Sequence, residues 1–314
     1  MNQSNFKKIL VIKHGSLGDI VFSLEPMMAI HSTFSQSTID IVTESKFLPL
    51  FRKMSIFNKY LVDNRSGFFT TASIIYKIIT GKYDLIIDLQ NSKRTNLYHF
   101  FVRLFSKVRI NGSKSFSHDR YSIPLQGEES PTQGLFNQLK LININKSEFN
   151  FAWLEEDMTS LDLENKKVVL VIPGVSKSGK YKQWPSANYR DLCLYLESKG
   201  YHICLVGTKY DVESTSPILN VCKNTINLID KSPPEIIYSV AKKSNLIISN
   251  DTGPGHIAAL SNVNTLWLAL DNKITKSNLS YRKNSYLLLK DTIKKLGVEE
   301  VKDFISIKSL LDKV

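Results

Sequence analysis

The segment Lys8–Asp19 reads KILVIKHGSLGD and joins a short apolar run to a turn that carries two glycines. The segment Asn245–Leu260, NLIISNDTGPGHIAAL, repeats this order in the second half of the chain. In α/β sheets such strand-to-helix turns lie at the carboxyl ends of the strands, where ligands bind. The N–H groups at a helix start can meet an anion there. Two such turns, each with an aspartate, indicate two α/β domains that share one cleft.

Strand-like and helix-like runs alternate through both halves of the chain, which predicts parallel β-α-β units with helices on both faces. A polar, acidic segment, Glu155–Lys167, interrupts this alternation and is the best linker candidate. We therefore predict an N-terminal domain over residues 1–160 and a C-terminal domain over residues 161–314. The polar stretch Asn111–Pro131 predicts a long loop, and the tail Val298–Val314 predicts an amphipathic helix.

The individual elements follow from the period of the apolar residues. The predicted strands are Ile9–Ile12, Thr38–Val42, Leu85–Asp88, Val108–Ile110, Val168–Ile172, His202–Val206, Leu246–Ser249 and Thr265–Ala269. The predicted helices are Ile20–Ser32, Phe47–Met54, Ala72–Ile79, Lys93–Phe105, Ala187–Ser198 and the stretches 233–242 and 254–261.

Composition narrows the class of protein. The chain has 314 residues and a net charge of +12, which favours anionic partners such as nucleic acid, phosphorylated small molecules or anionic lipid. A generally basic surface without a specific partner would give the same charge. No nucleic-acid-binding motif accompanies the charge, so no nucleic acid partner is expected. The three cysteines, Cys193, Cys204 and Cys222, are spaced too irregularly for a disulfide framework or a zinc site. They indicate inert thiols in a reducing compartment.

No apolar run approaches the roughly 20 residues of a membrane span, and the first apolar run is too short for a signal peptide. The sequence therefore predicts a cytoplasmic protein that can touch a membrane peripherally.

Asp19 is the first candidate for chemistry. It stands where the N-terminal turn of a helix would place an acidic residue, so one interpretation is a helix cap worth about 1 kcal/mol. The other is a carboxylate held at the strand-end crevice, able to accept a proton from an incoming hydroxyl. Residue type alone leaves both open, and favours the cap. The dinucleotide fingerprint and the Walker A pattern are both absent from the sequence.

Two further clusters suit a phosphate ligand. In Pro173–Pro185, PGVSKSGKYKQWP, Ser176 offers a hydrogen bond and Lys182 a point charge, although a solvated basic loop is an equal alternative. In the second glycine turn, Thr252 adds a hydroxyl and Gly253 frees backbone N–H groups. His256, in the same turn, is by itself more typical of a structural hydrogen bond, and no partner at helical spacing makes a metal site.

These clusters, with a fourth, resemble the ADP-heptose:lipopolysaccharide heptosyltransferases, glycosyltransferase family 9. Any one of the motifs is weak, but together they occur in the family's order and spacing over about residues 7–270. The matching segments are Ile9–Asp19, Tyr83–Gln90 with Arg94 beyond it, Pro173–Pro185, and Ser249–Ala259 with its Asp-Thr-Gly-Pro-x-His core.

The resemblance implies a GT-B fold, with two Rossmann-like α/β domains facing a central cleft. It implies an inverting sugar transfer without a metal or other cofactor, with the acceptor on the N-terminal domain and an ADP-sugar on the C-terminal one. Asp19 becomes the general base, and Ser16 and Arg94 become acceptor contacts. An anionic lipid-linked glycan acceptor implies peripheral contact with the cytoplasmic face of the inner membrane. The implied nucleotide-sugar contacts are Ser176, Lys182, Asp251, Thr252, Gly253 and His256.

Departures from the family pattern leave some points open. His14-Gly15 replaces the small polar pair usual before the Ser-Leu-Gly-Asp turn, and residues 111–150 match poorly. The donated sugar therefore stays heptose or a related sugar. One alternative is a nucleotide-sugar epimerase of the same fold, which would need acid and base groups on both faces of the sugar. Another is a degenerate basic protein that binds anionic lipid or nucleic acid.

Overall fold

A computed structural model describes residues 6–312 of the chain. Contacts divide the chain into two compact units. The first comprises residues up to Leu125 together with Glu129–Asn150, and the second comprises Gln126–Glu128 together with the chain from Phe151 onward. The acceptor and donor roles predicted for the two halves stay predictions at this point.

The first unit is a six-stranded parallel sheet with helices between its strands. The strand order is β3-β2-β1-β4-β5-β6. Its elements are β1 (Lys8–Ile12), α1 (Leu17–Thr33), β2 (Thr38–Thr43), α2 (Leu48–Met54), β3 (Tyr60–Val62), α3 (Gly67–Thr80), β4 (Leu85–Asp88), α4 (Lys93–Phe105), β5 (Arg109–Gly112), β6 (Asp119–Arg120) and α5 (Pro131–Lys140).

The turn after β1 lies at the point where the strand order reverses. Strand β1 is buried from Ile9 onward and lies between β2 and β4, so that Ile12 pairs with Val42 on one side and with Asp88 on the other. Neighbouring connections run in opposite directions from this point, which opens a crevice at the carboxyl edge of the sheet. The sequence thus places its first glycine turn at the position where α/β sheets bind ligands.

The second unit repeats this architecture with strand order β12-β11-β10-β7-β8-β9, also parallel. Its order reverses between β10 and β7, and the second glycine turn follows β10. Its elements are β7 (Val168–Ile172), α6 (Ser186–Ser198), β8 (His202–Leu205), α7 (Val212–Leu219), β9 (Thr225–Asn227), α8 (Pro234–Lys243), β10 (Leu246–Asn250), α9 (Gly253–Ala259), β11 (Thr265–Leu270), α10 (Lys273–Leu279), β12 (Ser285–Lys290) and α11 (Val298–Ile307).

Every predicted strand and helix is present, with ends that differ by a few residues except at the C-terminal tail. There, the predicted helix Val298–Val314 ends early, at Ile307, because the chain turns and Ser309 takes a left-handed φ of 48°. Residues 313 and 314 of that prediction lie outside the described residues. The predicted loop Asn111–Pro131 is largely a loop, but β5 continues to Gly112 and the two-residue β6 adds an edge strand. Elements that the apolar pattern missed are β3, β6, β9, β12, α5, α7 and α10.

The cysteines are all free and buried, as predicted for inert thiols. Burial raises the pKa of the Cys204 thiol to about 12. Among residues 6–312, no helix is both long and apolar enough to cross a bilayer.

Candidate active site

Asp19 closes the turn after β1 as part of a capping box. Ser16 is the N-cap of α1, and its backbone N–H and its hydroxyl both donate to Asp19 Oδ2 at 2.8 Å. The Asp19 N–H donates back to Ser16 Oγ at 3.3 Å. Within the described residues no hydrogen bond engages Asp19 Oδ1, and the residue is exposed. Asp19 therefore does act as part of a helix cap. The cap uses Oδ2 of its carboxylate and leaves Oδ1 available.

Position 15 requires glycine, because both the backbone conformation and the nearby Asp19 exclude a side chain there. Its φ of +119° lies in a region that L-residues rarely adopt, and a Cβ at this position would stand 2.7 Å from Asp19 Oδ2. The Gly15 N–H donates to Glu44 Oε1 at 3.0 Å, which ties the turn to the end of β2. The backbone therefore packs directly against the Asp19 carboxylate and fixes its position.

A buried lysine lies beneath the turn. The Lys13 side chain is 7% exposed and donates from Nζ to the carbonyl of Leu89 at 3.0 Å. Burial lowers the pKa of Lys13, while the charges of Asp19 and Asp88 oppose that shift. Lys13 therefore lies behind the crevice and not at its surface.

Arg94 lies against Asp63, which follows β3 and is fully buried. The guanidinium donates from Nη2 to Oδ1 at 2.8 Å and from Nε to Oδ2 at 3.1 Å. Tyr98 also donates to Oδ2, and His14 Nε2 lies 3.4 Å from the same oxygen. Burial alone would raise the pKa of Asp63, but these three neighbours together hold it well below its usual range. Arg94, the predicted acceptor contact, is thus already paired inside the unit. Among the described contacts, none engages Nη1 of Arg94.

Residues 111–150 supply part of the same edge of the sheet. Gln138 on α5 donates from Nε2 to the Asp88 carbonyl at 3.1 Å and to Asn111 Oδ1 at 2.9 Å. Asn91 donates to Gln138 Oε1 at 2.7 Å and accepts from the Ser113 N–H at 2.7 Å. This network joins the ends of β4 and β5 to α5, and gives the poorly matching region a structural role beside the crevice.

In the second unit, Ser176 and Lys182 flank one glycine in the loop after β7. Ser176 precedes the 3-10 helix Lys177–Lys182. A Cβ at Gly179 would lie 3.1 Å from Ser176 Oγ and 3.3 Å from Lys182 Cε, so the two side chains border the same point of the backbone. Ser176 is exposed and Lys182 is partly exposed, so both can reach a ligand.

Lys182, Asp251 and His256 form one chain of polar contacts. Lys182 Nζ donates to Asp251 Oδ2 at 3.0 Å, and His256 Nε2 lies 3.2 Å from Asp251 Oδ1. Burial alone would raise the pKa of Asp251, but the hydrogen bond with His256 and the charge of Lys182 lower it to about 2. Asp251 therefore fixes a lysine from one loop and a histidine from another helix.

The backbone around this chain leaves little freedom. Asn250, at the end of β10, accepts from the Trp184 N–H and donates to the Pro173 carbonyl, both at 3.0 Å. These bonds join the loop after β7 to the loop after β10. A Cβ at Gly255 would stand 2.4 Å from Ser249 Oγ, so α9 packs tightly on its own strand. Thr252 is the N-cap of α9, and no cap bond from its side chain is formed.

The predicted site residues thus fall into two groups. Ser16 and Asp19 contact each other at the switch point of the first unit. Arg94 pairs instead with Asp63, after the edge strand β3, and within the described residues no contact joins it to Ser16 or Asp19. In the second unit the structure brings the remaining predicted residues to adjacent loops at the switch point. In the part of the chain that the structure describes, no group of three or more His, Cys, Asp and Glu side chains is placed to hold a metal ion.

Sequence analysis missed several residues of these edges. Asp63 was missed because the strand before it, β3, has only three residues and shows no apolar period. The others carried no local signal, because their partners are distant in sequence; they are Lys13, Glu44, Tyr98, Asn111, Gln138 and Asn250.

Comparison with known proteins identifies the family. The model for glycosyltransferase family 9 (heptosyltransferase) matches residues 72–270, more than half of the chain. The chain belongs to this family. It is 25% identical over 285 residues to lipooligosaccharide heptosyltransferase 2 of Haemophilus ducreyi, which covers 81% of this chain and 80% of the relative. It is 22% identical over 290 residues to lipopolysaccharide heptosyltransferase 2 of Escherichia coli, with 81% and 80% covered.

Solved structures show the same fold. A family 9 glycosyltransferase from Veillonella parvula superposes with a TM-score of 0.77 at 16% identity, with 97% of each chain covered. An Escherichia coli heptosyltransferase solved with ADP-2-deoxy-2-fluoro heptose gives a TM-score of 0.73 at 17% identity, with 96% of this chain and 99% of that one covered. The two parallel six-stranded sheets are those of the GT-B fold, and the family makes this chain a glycosyltransferase.

The epimerase alternative shares the fold but not the family. A UDP-GlcNAc 2-epimerase from Methanocaldococcus jannaschii gives a TM-score of 0.62 at 12% identity, with 98% of this chain and 93% of that one covered. Likeness at this identity shows the fold alone, whereas the family model distinguishes the two classes.

Proposed function

We propose that this protein is an inverting, metal-independent transferase that moves heptose, or a related sugar, from an ADP-sugar to the inner core of lipopolysaccharide or a related glycan. The observation that carries the proposal is the turn after β1, where Ser16 holds one oxygen of an exposed Asp19 carboxylate at the sheet's switch point. The relatives named as heptosyltransferases, and one solved with an ADP-heptose analogue, support the donor.

Asp19 is the general base in this proposal. The acceptor hydroxyl gives its proton to Asp19 Oδ1 as its oxygen attacks the anomeric carbon. The new C–O bond forms while the bond from that carbon to the diphosphate oxygen breaks, and ADP leaves with the bonding electrons. Attack opposite the leaving group inverts the anomeric configuration. Because Oδ2 is already held by Ser16, the carboxylate needs little reordering before it accepts the proton.

The second unit stabilises the leaving group. Negative charge grows on the diphosphate in the transition state, and fixed donors that meet this charge lower the barrier. Lys182 supplies a positive charge, and Ser176 and Thr252 supply hydroxyl donors. Gly253 leaves the start of α9 free of a side chain. Asp251 positions Lys182 and His256 through the contacts described above. Both side chains are therefore already ordered when the diphosphate binds.

The acceptor binds the first unit, with Ser16 beside the reacting hydroxyl and Arg94 towards an anionic group of the acceptor. In this role Arg94 keeps its pairing with Asp63 through Nε and Nη2. Its third guanidinium nitrogen, Nη1, binds the anionic group of the acceptor.

The donor half of the proposal is tested by ADP binding. Thermal unfolding with and without ADP should show a rise in Tm for the wild type, since a ligand that binds only the folded state stabilises it. Lys182→Met should weaken ADP binding by about tenfold or more, because a charge-assisted contact is lost. Lys180→Met is the matched control: Lys180 lies in the same loop but pairs with Glu213 on the surface. Equal ADP affinity in the two variants would contradict the assignment of Lys182.

The reaction class is tested by product analysis. With ADP-heptose and a Kdo-terminated lipid A acceptor, the product's anomeric configuration should be opposite to that of the donor, and chelators should leave the rate unchanged. Retention of configuration, or loss of turnover with chelator, would contradict the proposal.

A further inference from the structure

Helices α3 and α4 lie side by side on one face of the first sheet. Ile74, Ile75 and Ile78 of α3 and Tyr98 and Val102 of α4 enter one buried cluster with residues of the central strands. Because both helices bury their inner faces in this cluster, their outer faces lie on the same side of the unit. We call this outer side, over residues 67–107, the α3–α4 surface.

The α3–α4 surface is aromatic and apolar. Phe68 is 78% exposed and Phe69 is 88% exposed, at the start of α3. Large exposed apolar residues gathered on one face mark sites of interaction with proteins or membranes. The full set of large, exposed apolar side chains on the two helices is Phe68, Phe69, Tyr76, Leu97, Phe100, Leu104 and Phe105.

The charged side chains of α3 and α4 are all basic, and the two acids between the helices lie directly before β4 (Asp84) and at its end (Asp88). Residues 64–83 and 89–118 contain no Asp or Glu, but they contain nine Lys and Arg residues. Three of the nine pair with acids outside these stretches, namely Arg65, Arg94 and Arg109. Within the described residues, no ion pair engages the remaining six, which are Lys77, Lys82, Lys93, Arg103, Lys107 and Lys114.

We propose that the α3–α4 surface docks on an anionic phospholipid bilayer. A bilayer of this kind offers apolar depth for the aromatic side chains and phosphate charge for the surrounding cations. A second copy of this surface would bring like charges together, which disfavours a dimer through it. A nucleic acid would satisfy the cations but would leave Leu97, Leu104 and the phenylalanines of α3 without an apolar partner.

Docking on this surface places the crevice of the first unit beside the lipid. Helix α3 begins directly after β3, so Phe68 and Phe69 lie at the same carboxyl edge of the sheet as the turn that holds Asp19. Resting on the proposed function, this arrangement delivers a lipid-linked acceptor to Asp19 from the bilayer. The docking itself is independent of the reaction and is tested separately.

The test is flotation with lipid vesicles. The wild type should float with vesicles of phosphatidylethanolamine and phosphatidylglycerol, and not with pure phosphatidylcholine. The double variant Phe68→Ser/Phe69→Ser should bind about tenfold or more weakly, because two exposed phenyl groups no longer enter the interface. Lys93→Glu/Lys107→Glu should weaken binding and reduce its dependence on salt. The matched control, Ile307→Ser/Lys223→Glu, changes an exposed apolar residue and an exposed lysine of the second unit and should float as the wild type does.

Several results would overturn the proposal. The proposal fails if the wild-type protein does not bind vesicles, or if it binds neutral vesicles as well as anionic ones. It also fails if the surface variants float as the wild type does. If the wild type self-associates and the Phe68→Ser/Phe69→Ser variant does not, the surface is an interface between copies of the chain. If the protein, in the absence of lipid, binds RNA in preference to vesicles, the surface is a nucleic-acid site.

A parallel assay separates this proposal from the enzymatic one. Transfer to a delipidated, soluble acceptor should be equal in the wild type and the surface variants. If that transfer is absent while vesicle binding still depends on the surface, the docking proposal stands and the proposed function fails. If transfer is present while vesicle binding is absent, the reverse holds.

Discussion

Lys182 and Asp251 form an ion pair of 3.0 Å although 69 positions separate them in the chain. The pair forms because β7 and β10 are neighbours in the sheet, so the loops that follow them meet at its carboxyl edge. Asp251 also contacts His256, and it is only 16% exposed. The carboxylate thus stabilises the folded unit and holds two proposed ligand contacts in place.

The stability of the protein in acid should depend on Asp251. Its pKa is lowered from 3.8 to about 2 in the folded chain, so the ionised form favours folding. This contribution, roughly 2 kcal/mol, is present in full above the unfolded pKa and is lost as the pH falls through the folded one. Asp251→Asn should therefore lower the free energy of unfolding at neutral pH and flatten its fall between pH 4 and 2, roughly the two pKa values. Urea unfolding across this range measures both effects, and an unchanged slope would contradict the assignment.

Gly15→Ala should impair both folding and transfer. The substitution forces a Cβ into a backbone with φ of +119° and to within 2.7 Å of Asp19 Oδ2. We expect a loss of about 1–3 kcal/mol in stability from the strained backbone. We also expect a large loss of transfer rate in the fraction that remains folded, since the carboxylate is displaced.

Gly200→Ala is the matched control for this prediction. Gly200 also has a positive φ, +85°, but nothing lies within 4 Å of a Cβ built there. Its stability should fall by about 1 kcal/mol from the backbone alone, while its transfer rate per folded molecule stays at the wild-type value. Equal transfer by both variants would mean that the position of Asp19 is not limiting.

Arg94→Met should destabilise the first unit strongly. It removes the bidentate partner of the buried Asp63, although Tyr98 and His14 still contact that carboxylate. Breaking a buried ion pair by removing one partner costs about 3–5 kcal/mol. The double variant Arg94→Met/Asp63→Asn should recover part of this loss, because the carboxylate that lost its partner is replaced by a neutral amide. Unfolding free energies of the single and double variants measure the coupling between the two residues.

The same double variant tests the acceptor role of Arg94. If Arg94 meets an anionic group of the acceptor, the recovered variant should still show a raised KM for the acceptor with little change in KM for the ADP-sugar. A wild-type acceptor KM would leave Arg94 with a structural role only.

Much of the fold could be predicted from the sequence because buried parallel strands are continuous apolar runs. Val168–Ile172 is an example: all five residues are buried, and the run is bounded by polar residues and Pro173. The pattern fails for short elements. Strand β3 has three residues, none fully buried, so no period could reveal it, and Asp63 at its end was missed as a consequence.

In the candidate site, too, some residues could be predicted from the sequence and others could not. Local motifs gave Ser16 and Asp19, whose contacts span three positions. The partners of Arg94 and Gln138 depend on strand order, which a single sequence does not state. Phe68 and Phe69 are a different case, since apolar residues are ordinarily assigned to a core. Only the structure places them on the outside of α3.

The role of Asp19 as general base is tested by acceptor-dependent release of ADP from ADP-heptose, measured for the wild type and for Asp19→Asn. The amide of this variant retains an oxygen for the Ser16 cap but has no carboxylate to accept a proton. We expect turnover to fall by about a hundredfold or more in Asp19→Asn, with ADP binding unchanged. Asp84→Asn is the control, because Asp84 caps the opposite edge of the same sheet by accepting from the N–H groups of Lys7 and Lys8. Turnover that survives in Asp19→Asn at the level of Asp84→Asn would show that Asp19 is not the general base.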